Sequence, residues 1–147
     1  VRTGWADDGA GSGPVATRVG PALVVTLPRE LDEATLRALR GDVLETLRRS
    51  RSRALVLEAS GLDLIDAEDF RQLTLVARTA ALLGVSPLLV GLSAGVVAYL
   101  IDAGVDTRGV RAYATLDDAL VALGAVHAQD DDTAAVADDA GESGASA

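Results

Sequence analysis

The sequence predicts one α/β domain with a mixed, mostly parallel sheet flanked by helices, in the order ββαβαβαβα. Three observations predict it. Short β-branched or apolar runs alternate with longer segments whose apolar residues recur every three or four positions. Two of those runs, Ala54–Leu57 and Leu88–Leu92, are almost continuously apolar, as strands covered on both faces are. Strands that alternate with helices need crossover connections, and crossovers lay strands side by side in parallel. The chain has 147 residues, 49% of them hydrophobic, which gives one domain's length and enough apolar surface for a core.

Residues 1–13 are Gly-rich, acidic and without period, so they read as a disordered leader that carries Trp5. Val15–Val19 and Ala22–Leu27 are β-rich runs parted by Gly20-Pro21, a turn signal, and read as an antiparallel pair. Asp32 offers a helix N-cap, and Leu36, Leu39, Val43 and Leu47 then form one apolar face. The Arg48–Arg53 cluster suits the end of that helix, where the backbone dipole is negative. It is also a candidate for an acidic partner or a phosphate.

After the Ala54–Leu57 strand, Ser60–Asp66 reads as a polar turn with apolar residues inserted. A second helix is expected from about Ala67 to Leu83, with Phe70, Leu73, Val76, Ala77 and Ala80 on its inner side and Gly84 as its stop. The Leu88–Leu92 strand follows. A third helix, Ala94–Ala103, is expected to bury Val97, Leu100 and Ile101. Arg111–Ala114 reads as a last strand, and Thr115 caps a final helix with Leu116, Ala119, Leu120 and Leu123 inward. The domain is thus expected over 14–124. Residues 125–147, with the run Asp130–Asp132, read as a disordered acidic tail.

Composition excludes much chemistry. All thirteen basic residues are Arg; there is no Lys and no Cys, and His127 is the single His. Without Lys there is no P-loop lysine and no Schiff base. Without Cys there is no disulfide, thiol nucleophile or Cys-ligated metal. A Ser–His–Asp triad would have to use His127. No catalytic residue, metal site or cofactor is therefore expected; Asp63 and Asp66 read as turn-forming acids, not a metal or acid–base pair. The net charge is −9, but residues 14–129 hold fourteen acids against twelve Arg, a net of −2. Nothing forms a basic stripe for nucleic acid. No run is long enough to span a membrane, and no signal segment opens the sequence, so a cytoplasmic protein is expected.

Three segments resemble the STAS domain, the fold of anti-sigma-factor antagonists. Ala54-Leu55-Val56-Leu57-Glu58-Ala59-Ser60-Gly61-Leu62-Asp63-Leu64-Ile65-Asp66 is similar to that family's central strand leading to an Asp before its second helix. Leu83-Gly84-Val85-Ser86-Pro87-Leu88-Leu89-Val90-Gly91-Leu92 resembles its helix stop, strand and Gly-apolar turn, and Leu100-Ile101-Asp102-Ala103-Gly104-Val105 resembles the end of its third helix. The resemblance covers Val15 to Leu123 and is nearest to the stressosome kind, the RsbS–RsbR group. It implies a STAS-type single domain that regulates by partner switching and does not catalyse. Its partners would be a sigma-regulating kinase or other STAS proteins, in a homo- or hetero-oligomer.

The resemblance also implies a phosphorylated Ser or Thr at the start of the second helix, where free N–H groups and the positive dipole end favour an anion. Here the sequence departs. Asp66 is present, but Ala67 stands where the stressosome kind carries its hydroxyl, and Glu68 stands where the simpler antagonists carry theirs. Val90 occupies the other acceptor position of the stressosome group. Three explanations fit: a degenerate, constitutively binding domain, an introduced non-phosphorylatable substitution, or Glu68 and Asp69 as a permanent imitation of phosphate. Acids in a first turn also stabilise a helix without any such role, by about 0.3–1 kcal/mol each. The expected docking surface is Asp63, Asp66, Ala67, Glu68, Asp69 and Arg71. The alternative is a small-molecule or nucleotide-sensing site on the turn Gly91–Gly95, with Ser93 between the two glycines, because backbone N–H groups at a helix start can cradle an anion.

Overall fold

The computed structural model describes residues 14–124. The expected leader with Trp5, and the expected tail with His127, lie outside them. Five strands form one sheet in chain order: β1 (Val15–Val19), β2 (Ala22–Thr26), β3 (Ala54–Glu58), β4 (Ser86–Val90) and β5 (Arg111–Tyr113). β1 pairs antiparallel with β2 through the Gly20-Pro21 turn, and all other pairs are parallel. The crossovers are α1 (Glu33–Arg49), α2 (Ala67–Leu82) and α3 (Ala94–Asp102). Residues 116–124 form a further helix, α4, which Thr115 caps by accepting from the Asp118 N–H at 3.2 Å.

Sequential strand order explains the layers. Successive crossovers of one hand lie on one face of the sheet. α1, α2 and α3 accordingly share a core with Leu23, Val25, Leu55, Leu57 and Leu89. The opposite face carries Ala22, Val24, Ala54, Val56, Leu88 and Val90, packed with Ala119 and Leu123 of α4. Residues 54–57 of β3 are all buried, as an apolar run between two layers requires. α1 buries Leu36, Leu39, Val43 and Leu47, the face its spacing predicts. α2 ends in a Schellman-type turn: Val85 N–H donates to Ala80 O at 3.1 Å, Gly84 N–H to Ala81 O at 3.0 Å, and Gly84 takes φ +79°.

Two expectations need correction. The third helix buries Val96 and Leu100, while Val97 and Ile101 are exposed, 39% and 67%. Val96, Val97, Tyr99, Leu100 and Ile101 leave this helix apolar on most sides, so periodicity could not choose its inner face. β4 starts at Ser86 and ends at Val90, two residues earlier than the expected Leu88–Leu92. Its first residue is fixed by Ser86 N–H donating to Arg53 O at 2.9 Å. Pro87, with no N–H to donate, is tolerated because β5 first pairs with β4 at Leu88 and leaves Pro87 unpartnered on that side.

Candidate partner-docking site

The β3–α2 loop lies where the parallel strands end. Ala59 N–H donates to Val90 O at 2.7 Å, so the chain leaves β3 along β4. Leu62 and Ile65 turn inward, while Leu64 is 71% exposed. Asp63 N–H donates to Arg29 O at 3.1 Å, and Arg29 Nε donates to the Asp63 carboxylate at 2.8 Å. Leu64 also bridges Glu30. The backbone bonds tie the loop to the segment before α1. The Arg29–Asp63 ion pair is solvent-screened and orients the loop more than it stabilises it.

Asp66 closes the loop as the N-cap of α2, its Oδ1 accepting from Asp69 N–H at 2.7 Å. Ala67 is the first helical residue and is half-buried against the main core. Glu68 faces solvent, with Arg71 at 3.3 Å and Gln72 Nε2 donating to it at 3.0 Å. Partial burial, then the carboxylates of Asp66, Glu68 and Asp32, push the Asp69 carboxyl above its usual range. Asp32 caps α1 in the same way, and the N–H of Thr35 holds its carboxyl below that range. Two capped helix starts therefore stand side by side. Between them runs a groove of about 500 Å³, lined by Arg37 and Arg40 of α1 and by Asp66, Glu68, Asp69 and Gln72.

The structure thus gathers Asp66, Ala67, Glu68, Asp69 and Arg71 on the first turns of α2 and turns Asp63 aside toward Arg29. Sequence reading took in the loop Asp63–Asp66 without singling out Leu64, and it missed the α1 side of the groove. Leu62, Leu64 and Ile65 are alike in the sequence, so nothing local marked Leu64 as the exposed one, and nothing local could have placed Arg37 and Arg40 beside α2. The carboxylates here serve as caps and ion-pair partners, and among the described residues no group of His, Asp or Glu could hold a metal. The arrangement suits recognition of a surface.

The second expected site has local duties. Gly91 has φ +81°, and a Cβ there would stand 2.9 Å from Ser60 Cβ and 3.0 Å from Ser60 N. Gly91 is therefore where β4 presses on the β3–α2 loop. Ser93 Oγ accepts from Val96 N–H at 3.2 Å as the α3 cap, and a Cβ at Gly95 would stand 4.0 Å from that hydroxyl, in ordinary contact. Val90 is 1% exposed, inside the α4-side core. No helix of the described residues is long and apolar enough to cross a membrane.

Known structures share this fold. A serine-to-glutamate variant of RsbS from Moorella thermoacetica is 26% identical with a TM-score of 0.66, over 76% of this chain and 95% of that one. A structure from the molecular architecture of the stressosome is 25% identical with a TM-score of 0.67, over 76% and 97%. A Thermotoga maritima protein assigned as an anti-sigma factor antagonist shares the fold at 20% identity and a TM-score of 0.59, over 71% and 89%. No curated protein matches the chain. The STAS domain family model matches residues 13–119, which contain all five strands and the capped start of α2, and the chain belongs to the STAS domain family.

Proposed function

We propose that this chain is a non-catalytic regulatory module of the anti-sigma-factor antagonist and stressosome type. It acts in the cytoplasm by docking a protein partner on the β3–α2 loop and the first turns of α2. The partner is a sigma-regulating kinase or another STAS protein. The observation that carries the reading is the Asp66–Ala67 junction. An Asp cap presents the helix start beside exposed Leu64 and Glu68, and on the resemblance drawn from the sequence Ala67 falls at the position where the stressosome kind has a hydroxyl. Docking here is therefore independent of phosphorylation, and the domain is a constitutive binder.

Two variants test this. Ala67→Ser fits a helix start at little cost. With ATP and the kinase of a stressosome-type system from the same genome, it should gain a phosphate at position 67, read by mass spectrometry. The parent should gain none between 66 and 70. Ala67→Arg should stay folded and lose co-sedimentation with the STAS or kinase partner. If both variants bind every such partner as the parent does, the docking surface is elsewhere.

A further inference from the structure

The end of the sheet opposite Asp66 is basic. Arg18 is the penultimate residue of β1, and Arg48, Arg51 and Arg53 lie between the last turn of α1 and the start of β3. The β1–β2 turn joins the two groups: Arg53 N–H donates to Pro21 O at 2.8 Å, and the Arg18 side chain lies on the same turn, its Nε donating to Gly20 O at 3.3 Å. The hydroxyls of Ser50 and Ser52 bond each other at 2.9 Å and brace the turn. All four Arg are exposed, and none has an ion-pair partner among the described residues; neighbouring Arg49 is held by Glu45 at 2.7 Å.

The course of α4 leads to this end. β5 finishes beside Gly91, whose N–H donates to Tyr113 O at 3.1 Å, at the acidic end of the sheet. α4 then runs back across the face opposite α1–α3. Leu123 belongs to one apolar cluster with Ala22 and Ala54, the first residues of β2 and β3. Those two residues adjoin Pro21 and Arg53. The sequence continues with Asp130, Asp131 and Asp132, then Asp138, Asp139 and Glu142, and has no basic residue beyond 124 except His127. Five residues lie between Gly124 and Asp130, and those six Cα-to-Cα steps reach up to about 20 Å.

We propose that the acidic segment from Asp130 to Glu142 docks on its own chain's basic pole, formed by Arg18, Arg48, Arg51 and Arg53. One exposed pair is weak. Several pairs on a short tether gain from a high effective concentration, which a free anion lacks. A free polyanion also meets the chain's net charge of −9. The segment therefore wins the pole over nucleic acid.

The full chain has no Cys, so Ala134→Cys takes a nitroxide at one place. At about 0.01 M ionic strength, where the Debye length is ~30 Å, the label should broaden the amides of Arg18, Gly20 and Ser50–Arg53. The broadening should vanish at about 1 M, where that length is ~3 Å. It should also vanish in Asp130→Asn/Asp131→Asn/Asp132→Asn and in Arg48→Glu/Arg51→Glu/Arg53→Glu. Adding Asp130→Arg/Asp131→Arg/Asp132→Arg to the second triple should restore it. Broadening absent at low salt, insensitive to salt, or seen only between a labelled and an unlabelled molecule overturns the proposal. So does displacement of the segment by equimolar duplex DNA, which would assign the pole to nucleic acid.

Discussion

Asp69 and Asp106 are the same residue at opposite ends of the sheet, and their carboxyls are pushed in opposite directions. Asp69, at the capped start of α2, is raised by partial burial and then by Asp66, Glu68 and Asp32. Asp106, in the loop between α3 and β5, is lowered to about 2, first by hydrogen bonds from Arg108 and also by the charge of Arg78. The difference shows how a parallel α/β fold sorts charge. Helix starts collect at one end and favour acids; helix ends collect at the other and favour bases. α1 follows the rule at both ends, with Glu33 in its first turn and Arg48 and Arg49 in its last. α2 follows it only at its start, and α3 at neither end. The segregation rests on two helices and their loops.

The largest test of the contrast uses glycine. Gly91 and Gly84 both have positive φ, but a Cβ at Gly91 meets Ser60 while a Cβ at Gly84 meets open space. Gly91→Ala should cost about 2–4 kcal/mol, strain plus overpacking. Gly84→Ala should cost about 1–2 kcal/mol, strain alone. Urea unfolding midpoints measure both. Equal losses would mean that the acidic-end loop yields and that Gly91 does not fix its position.

Capping gives the next effect. Asp66→Ala removes the acceptor for Asp69 N–H and should cost about 1 kcal/mol. Arg48→Ala at the other end should stay within about 0.5 kcal/mol, as exposed substitutions do. A greater loss from Arg48 would give the basic end a structural role.

pH sharpens the comparison further. Asp69 binds its proton more tightly folded than unfolded, so its ionisation opposes folding as pH rises from the ordinary aspartate value of 3.8 through its raised folded value. Asp69→Asn should therefore gain stability relative to the parent between pH 4 and pH 7. Asp106 has the opposite sign: its contribution is full above 3.8 and is lost as pH falls toward about 2. Asp106→Asn should match the parent near pH 2 and fall behind it above pH 4. Urea midpoints across this range check both signs, and parallel curves for the two variants would abolish the contrast.

The smallest effects belong to the helix-surface pairs Glu33–Arg37 and Glu45–Arg49, one toward each end of α1. Arg37→Gln and Arg49→Gln should each change stability by less than about 0.5 kcal/mol. A loss above about 1 kcal/mol at one end only would show a charge network beyond the i,i+4 pair.

Local sequence was sufficient wherever one interaction of short range decides the outcome. The spacing of Leu36, Leu39, Val43 and Leu47 set the inner face of α1, because the polar residues between them leave that helix one apolar side. The apolar run Ala54–Leu57 marked β3 as the doubly covered centre of the sheet, and Asp66 before Ala67 marked the start of α2. Long-range contacts decided the rest. The face of α3 was set by docking, since its apolar residues point several ways. The start of β4 was set by the ladder bond from Ser86 to Arg53. The sequence offers Gly91 as part of an anion cradle, while the close approach to Ser60 that leaves no room for a Cβ at Gly91 is set by tertiary packing. Asp32, distant in sequence, became a neighbour of Asp69 only because α1 and α2 start side by side. Periodicity and capping act within one or two helical turns, whereas the groove and the two charged ends arise from which elements the sheet sets next to one another.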